Sequence, residues 1–196
     1  MNKYFLYLSI IAIIFTTSAD AFAVNCNDKS PYFNKEGDSY YDIEDIDPLT
    51  RKQKSKIKEL FSRFENKNLV GSRSFINCIG PESSAKKTTT KTELSAELNQ
   101  QSDGMIVIKI ESYDRNKGKT EHINLSYFGD NNPDKIIKLT NNKLVIRCKF
   151  RRSVNRSPCL NEEITEISVK NKALTIETAA YRFGQFAFHS TIKLHY

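Results

Sequence analysis

The chain has 196 residues, of which 39% are hydrophobic and 11% aromatic, which is enough to build the core of one domain but argues against two. It contains three histidines, seven glycines and no tryptophan, a composition that argues against a histidine-rich metal cluster, a glycine-rich phosphate loop or a haem attachment site. This composition predicts that the protein uses no metal and no cofactor. The net charge is +7, so we also expect a basic protein.

Residues 1–23 have the pattern of an export signal. Lys3 lies near the start, residues 6–15 are apolar, and residues 21–23 read Ala-Phe-Ala, the shape of a signal-peptidase site. The apolar stretch of about ten residues is shorter than the roughly 20 that cross a bilayer. We therefore predict a cleaved signal peptide, an exported protein of the periplasm or the extracellular space, and no transmembrane segment in the mature chain.

Residues 24–46 form an acidic, extended leader ahead of the body of the protein. Residues 24–50 carry a net charge of −5, whereas residues 51–196 carry +12. Such an asymmetry is typical of an interaction surface, or of a leader that folds across its own body. A solvated leader is the alternative. We assign residues 47–196 to a single domain.

The clearest helix of the sequence begins at Asp47 and Pro48. Aspartate can cap the free N–H groups of a first turn, and proline suits the first helical position because it has no N–H to leave unpaired. Gly71 marks the latest end of this helix. One apolar stripe follows at helical spacing and consists of Ile57, Leu60, Phe61 and Phe64. We expect this amphipathic helix to pack on its own domain, with an acidic partner or anionic lipid as the alternative.

From Val70 onward the hydrophobic period changes from 3.6 to 2, and Asn, Asp, Gly and Pro separate the alternating runs. The predicted strands are 70–78, 87–98, 105–113, 121–128, 135–139, 143–150, 164–169, 173–179 and 185–196. Short links favour antiparallel neighbours. Because exposed edges invite aggregation, we predict a mainly β meander of eight or nine strands, as a barrel or two-sheet sandwich preceded by one helix. This architecture resembles the lipocalin barrel, without the tryptophan typical of its first strand.

The four cysteines form an even set that an oxidising compartment would join in disulfides. Of the three pairings, we favour Cys148–Cys159, which lie beside one predicted hairpin loop. The remaining pair, Cys26–Cys78, would tie the extended N-terminus to the first strand. A zinc site is the alternative, but the chain has no C-x-x-C pair.

Two histidines on the polar faces of predicted strands raise one catalytic alternative. Alternation places His122 on one such face, and His189 and Thr191 on another. The sequence His-Ser-Thr-Ile from residue 189 resembles the H-x-T-apolar motif of the 2H phosphoesterases, in which paired histidines act as general acid and base. His122 would supply the second histidine, although Asn124 stands where that motif has a hydroxyl.

The densest positive charge lies beside the third and fourth cysteines. No acid separates the five basic residues, which a Cys148–Cys159 bridge would hold together: Arg147, Lys149, Arg151, Arg152 and Arg156. The planar guanidinium suits phosphate and carboxylate groups, so the expected partner is an anionic lipid, a polysaccharide or an acidic protein surface. Nucleic acid is not expected, because only Phe150 offers an interleaved aromatic ring. A solvated loop is the alternative.

No motif predicts a convincing catalytic set. We therefore expect a non-enzymatic binding protein that recognises an anionic or amphipathic partner through this basic surface or through a barrel pocket. The alternative is a small exported hydrolase of the 2H phosphoesterase type that uses His122 and His189.

Overall fold

The computed structural model describes residues 25–32, 47–79, 86–101, 104–114, 118–129, 134–149 and 162–196. Within these ranges the chain forms one helix and nine strands. Their bounds are α1 Arg51–Phe61, β1 Leu69–Ile79, β2 Lys86–Gln100, β3 Ile106–Asp114, β4 Lys119–Tyr127, β5 Asp134–Leu139, β6 Lys143–Lys149, β7 Glu162–Lys170, β8 Ala173–Arg182 and β9 Gln185–His195. No helix in the described ranges is long and apolar enough to cross a membrane.

All nine strands belong to one antiparallel sheet that curls into a half-barrel. The strand order is β4-β3-β2-β1-β9-β8-β7-β6-β5, so β1 pairs with β9 in the middle of the sheet. The strands β4 and β5 follow each other in the chain but lie at opposite edges, which is where the sheet remains open. The predicted mainly β meander with one preceding helix is confirmed, and each predicted strand agrees with an observed one to within three residues.

The predicted start of the helix at Asp47 and Pro48 is wrong, because α1 begins at Arg51. Thr50 is the residue that caps α1: its hydroxyl accepts from the Gln53 N–H at 3.2 Å, and its own N–H donates to the Gln53 side chain at 2.8 Å. This capping box satisfies two backbone donors at once, so the helix begins three residues after Pro48. The helix ends at Phe61, and Phe64 lies beyond that end but is fully buried.

The hydrophobic core lies between α1 and the concave face of the curled sheet. The helix buries Ile57, Leu60 and Phe61, and the sheet contributes inward-facing side chains from both halves of its curl. Those fully buried on the sheet include Leu69, Leu98, Ile108, Leu144, Ile167 and Leu174. The helix thus fills one end of the half-barrel, as its predicted packing on its own domain requires.

Residues 25–32 form an N-terminal strap that crosses the convex face at the opposite end. Cys26 is joined to Cys78 of β1, which confirms the predicted pair. Further along, the Ser30 N–H donates to the Gly184 carbonyl at 3.0 Å, and the Phe186 N–H donates to the Asp28 carbonyl at 2.9 Å. The strap therefore continues from β1 over the turn between β8 and β9. The proposed signal and the rest of the leader, residues 33–46, lie outside the described residues.

Cys148 is also disulfide-bonded, as predicted. Its predicted partner, Cys159, lies outside the described residues.

Candidate functional site

Two members of the predicted basic cluster do not lie on an exposed surface. Arg147 and Lys149 are only 5% and 6% exposed. Arg147 Nε donates to Glu162 Oε1 at 2.8 Å, and its guanidinium carbon lies 4.2 Å from the centre of the Tyr32 ring. Glu162 and Tyr32 of the N-terminal strap thus cover Arg147, and the role of Arg147 and Lys149 in binding a partner stays a prediction. The other members, Arg151, Arg152 and Arg156, lie outside the described residues.

The two histidines of the phosphoesterase alternative lie far apart. His122 is exposed on β4, where its Nδ1 is 3.3 Å from Glu111 Oε1. His189 lies half-buried on β9, and burial lowers the pKa of its imidazole. The four strand spacings between β4 and β9 measure roughly 19 Å along the sheet. The register aligns His122 with His195, six residues along β9 from His189, which adds roughly 20 Å along the strand.

The structure therefore does not bring these histidines to one phosphate. Thr191 lies two residues from His189 on the same face of β9 and is remote from His122. Within the described residues, no group of three or more His, Cys, Asp or Glu side chains is arranged to hold a metal ion.

A shallow outer groove of about 690 Å³ lies on the convex face of the sheet. Its side chains mix both signs of charge with exposed apolar surface and include Val70, Glu93, Glu111, Tyr113, Lys193 and His195. Tyr113 is 57% exposed and Val70 49%. The groove is open to solvent, and its charges nearly balance, so it has no evident preference for one class of ligand.

The concave face changes character from the helix end to the strap end of the sheet. Residues directly opposite each other on neighbouring strands share a face, so the register defines rows across the curl. Near the helix, one row begins at Gly71 and continues as Leu194, Leu174 and Val169. Two rows further on, Phe75 is followed by Ser190, Thr178 and Thr165. The apolar core thus gives way to hydroxyl groups and half-buried side chains.

Arg73 stands at the boundary between these two regions. Its row continues as Ile192, Ile176 and Ile167, all of them buried. The Arg73 Nε–H donates to Ser190 Oγ at 3.0 Å, and its guanidinium carbon lies 5.2 Å from the centre of the Phe75 ring. Burial lowers the pKa of Arg73, and the field of Glu121 opposes that shift. A half-buried cation therefore lies beside buried apolar residues on its β9 side.

Phe75 and Phe188 form an aromatic pair next to this cation. Their ring centres are 5.3 Å apart and the rings are inclined by 29°, so they stack. Both side chains are half-buried, whereas the core residues nearer the helix are almost fully buried. Solvent thus reaches an aromatic surface on the concave face, close to a guanidinium group.

The far side of the concave face is lined by buried oxygen atoms. Thr165 Oγ1 and Thr178 Oγ1 are 3.1 Å apart, and both bond to the hydroxyl of Tyr127 from the β4 edge. Burial, together with the nearby Asp134 and Glu163 carboxylates, raises the pKa of Tyr127. Asp134 accepts the Phe128 N–H at 2.9 Å, and burial raises the pKa of its carboxyl to about 6. These contacts hold the two open edges of the sheet near each other.

Sequence reasoning missed the concave residues as a candidate site. A signal was present, because alternation along β1 places Arg73 and Phe75 on the same face as the core residue Leu69. That face could be recognised as a binding surface only once Phe188 of β9 was known to lie beside Phe75, and this neighbourhood depends on the long-range pairing of β1 with β9.

Comparison with known proteins gives no family. No protein-family model matches the chain, and no curated protein does. Among solved structures, one that matches is the crystal structure of the trans-acyltransferase polyketide synthase enoyl-isomerase, at 11% identity over 67% of this chain and 84% of that one. Its TM-score is 0.17, which is too low to support an argument about fold or function.

Proposed function

We propose that the protein is an exported, non-enzymatic binding protein that receives an amphipathic ligand on the concave face of its half-barrel. The observation that carries this proposal is the half-buried aromatic pair, Phe75 and Phe188, on a face that is otherwise core. Export is the expectation from residues 1–23, and the disulfide between Cys26 and Cys78 is compatible with an oxidising compartment.

The helix supports this proposal because it occupies only one end of the concave face. Its buried residues pack near the rows that begin at Leu69 and Gly71, while Arg73, Phe75 and Thr178 remain partly accessible. An apolar group placed on the aromatic pair would bury surface that is now wet, a gain of about 25 cal/mol per Å². The adjacent hydroxyl groups and guanidinium would orient the polar part of the same ligand.

Calorimetric titration with decanoate below its critical micelle concentration, and with decanol below its solubility limit, tests the proposal. We expect the wild-type protein to bind at least one of the two, and Phe188→Ala to weaken that binding about tenfold because aromatic contact area is lost. Tyr113→Ala is the matched control, since it removes an exposed aromatic ring from the outer groove on the opposite face.

Thermal unfolding of each variant verifies that it is folded, and Phe188→Leu replaces Phe188→Ala if the alanine variant unfolds at the assay temperature. The proposal fails if the wild-type protein binds neither compound. It also fails if Tyr113→Ala weakens binding as much as the substitution at Phe188.

A further inference from the structure

Half-buried Arg73 differs from the buried Arg147 in how its charge is compensated. Arg147 forms a close ion pair with Glu162. Arg73 donates to the neutral hydroxyl of Ser190, and among the described residues no carboxylate oxygen lies within ion-pair distance of it. Glu121 acts on Arg73 only through its field, from the β4 edge of the sheet. Placing a cation against apolar side chains costs free energy that an anion would offset.

The guanidinium of Arg73 can donate more hydrogen bonds than the one it forms with Ser190. A guanidinium carries five N–H donors in a fixed, planar fork. In the described part of the chain one of these, on Nε, donates to Ser190. The fork suits carboxylate and phosphate oxygens, which it can bind through two parallel hydrogen bonds.

The surroundings of Arg73 constrain the rest of such an anion. The guanidinium lies over Phe75, and Phe75 stacks on Phe188. A ligand whose charged oxygens meet Arg73 can therefore place its remaining atoms on the aromatic pair, and burial of these two rings favours an apolar group next to the charge.

We propose that Arg73 is the anion-binding residue of the concave face and that the ligand is an amphipathic anion, with a carboxylate or phosphate head on Arg73 and an apolar part along Phe75 and Phe188. This inference rests on the proposed function and specifies in addition that the ligand is negatively charged.

Titration of three compounds with one tail and different heads tests the inference: decanoate, decyl phosphate and decanol, at low salt. We expect wild-type protein to bind at least one of the anions ten or more times more tightly than decanol. Arg73→Gln should remove that preference, so that the anions bind no more tightly than decanol, whereas Arg73→Lys should keep part of it. Lys193→Gln is the matched control, because it removes an exposed cation from the outer groove.

The outcomes separate this inference from the proposed function. A preference for decanoate over decyl phosphate assigns the head as a carboxylate, the reverse assigns it as a phosphate, and both support the inference. Equal binding of all three compounds, or a preference that survives in Arg73→Gln, overturns the inference while the proposed function stands. Failure of all three to bind overturns both.

Discussion

At the scale of single residues, what lies over a charged side chain decides whether it can meet a partner. Arg147 looks like part of a basic surface in the sequence, but Glu162 and Tyr32 cover it. Arg73 is an isolated residue in the sequence, but the fold places it half-buried with a neutral partner. The number of basic residues in a segment therefore does not identify the ones that are available to an anion.

The buried carboxyl of Asp134 tests how burial affects a charged side chain. Its pKa is raised from 3.8 to about 6 by burial, so the folded protein binds this proton more tightly than the unfolded chain does. The free energy of unfolding therefore falls as pH rises through this interval. Asp134→Asn removes the buried charge and still offers the Phe128 N–H an acceptor, so we expect it to raise the free energy of unfolding at pH about 7.5 by about 1–3 kcal/mol.

Denaturant unfolding at several pH values measures this effect. The stabilisation by Asp134→Asn should disappear near pH about 3, where Asp134 is protonated in the folded protein and largely protonated in the unfolded chain. Glu97→Gln, on the exposed face of β2, is the control and should show no comparable dependence. An Asp134→Asn protein less stable than wild type at pH about 7.5 would show that the charge itself holds the connection between β4 and β5.

At the scale of elements, the sequence determines local structure well where one signal dominates. Strict alternation located nine strands to within three residues, because the two faces of each strand meet different surroundings. At the helix two signals compete: Asp47 with Pro48, and Thr50 with Gln53. The pattern T-x-x-Q was present in the sequence, and its two reciprocal hydrogen bonds outweigh the single cap that Asp47 offers.

Substitution of the two competing caps tests this assignment. Thr50→Ala removes the hydroxyl that accepts the Gln53 N–H, and we expect the free energy of unfolding to fall by about 1 kcal/mol. Asp47→Ala should leave it unchanged, as measured by denaturant unfolding of both variants. A larger loss of unfolding free energy from Asp47→Ala than from Thr50→Ala would show that Asp47 caps the helix.

The strands β1 and β9 pack closely at Gly71. A Cβ atom added at Gly71 would lie 1.8 Å from the backbone carbonyl oxygen of Lys193, which a neighbouring strand cannot easily move. We expect Gly71→Ala to lower the free energy of unfolding by about 3 kcal/mol, or to prevent folding. Ser72→Ala, the next residue of β1, adds no atoms and should change it little. Equal stability of the two variants would contradict the close packing of β1 on β9.

At the scale of the whole molecule, long-range pairing decides the site. The sequence predicted the mainly β meander and the pair Cys26–Cys78, because both follow from local patterns and a count of cysteines. Short links also favoured pairing of every consecutive strand, yet β4 and β5 lie at opposite edges. The concave site depends on this opening and on the pairing of β1 with β9, which no local pattern encodes.

The measurement that tests the concave site most directly uses a single tryptophan, since the chain has none. Phe188→Trp places the reporter on the concave face, and Tyr113→Trp places it in the outer groove. Fluorescence of both folded variants is followed during titration with decanoate and decyl phosphate. The proposed site predicts a saturable blue shift for Phe188→Trp and no change for Tyr113→Trp. A saturable shift for Tyr113→Trp with none for Phe188→Trp would contradict it.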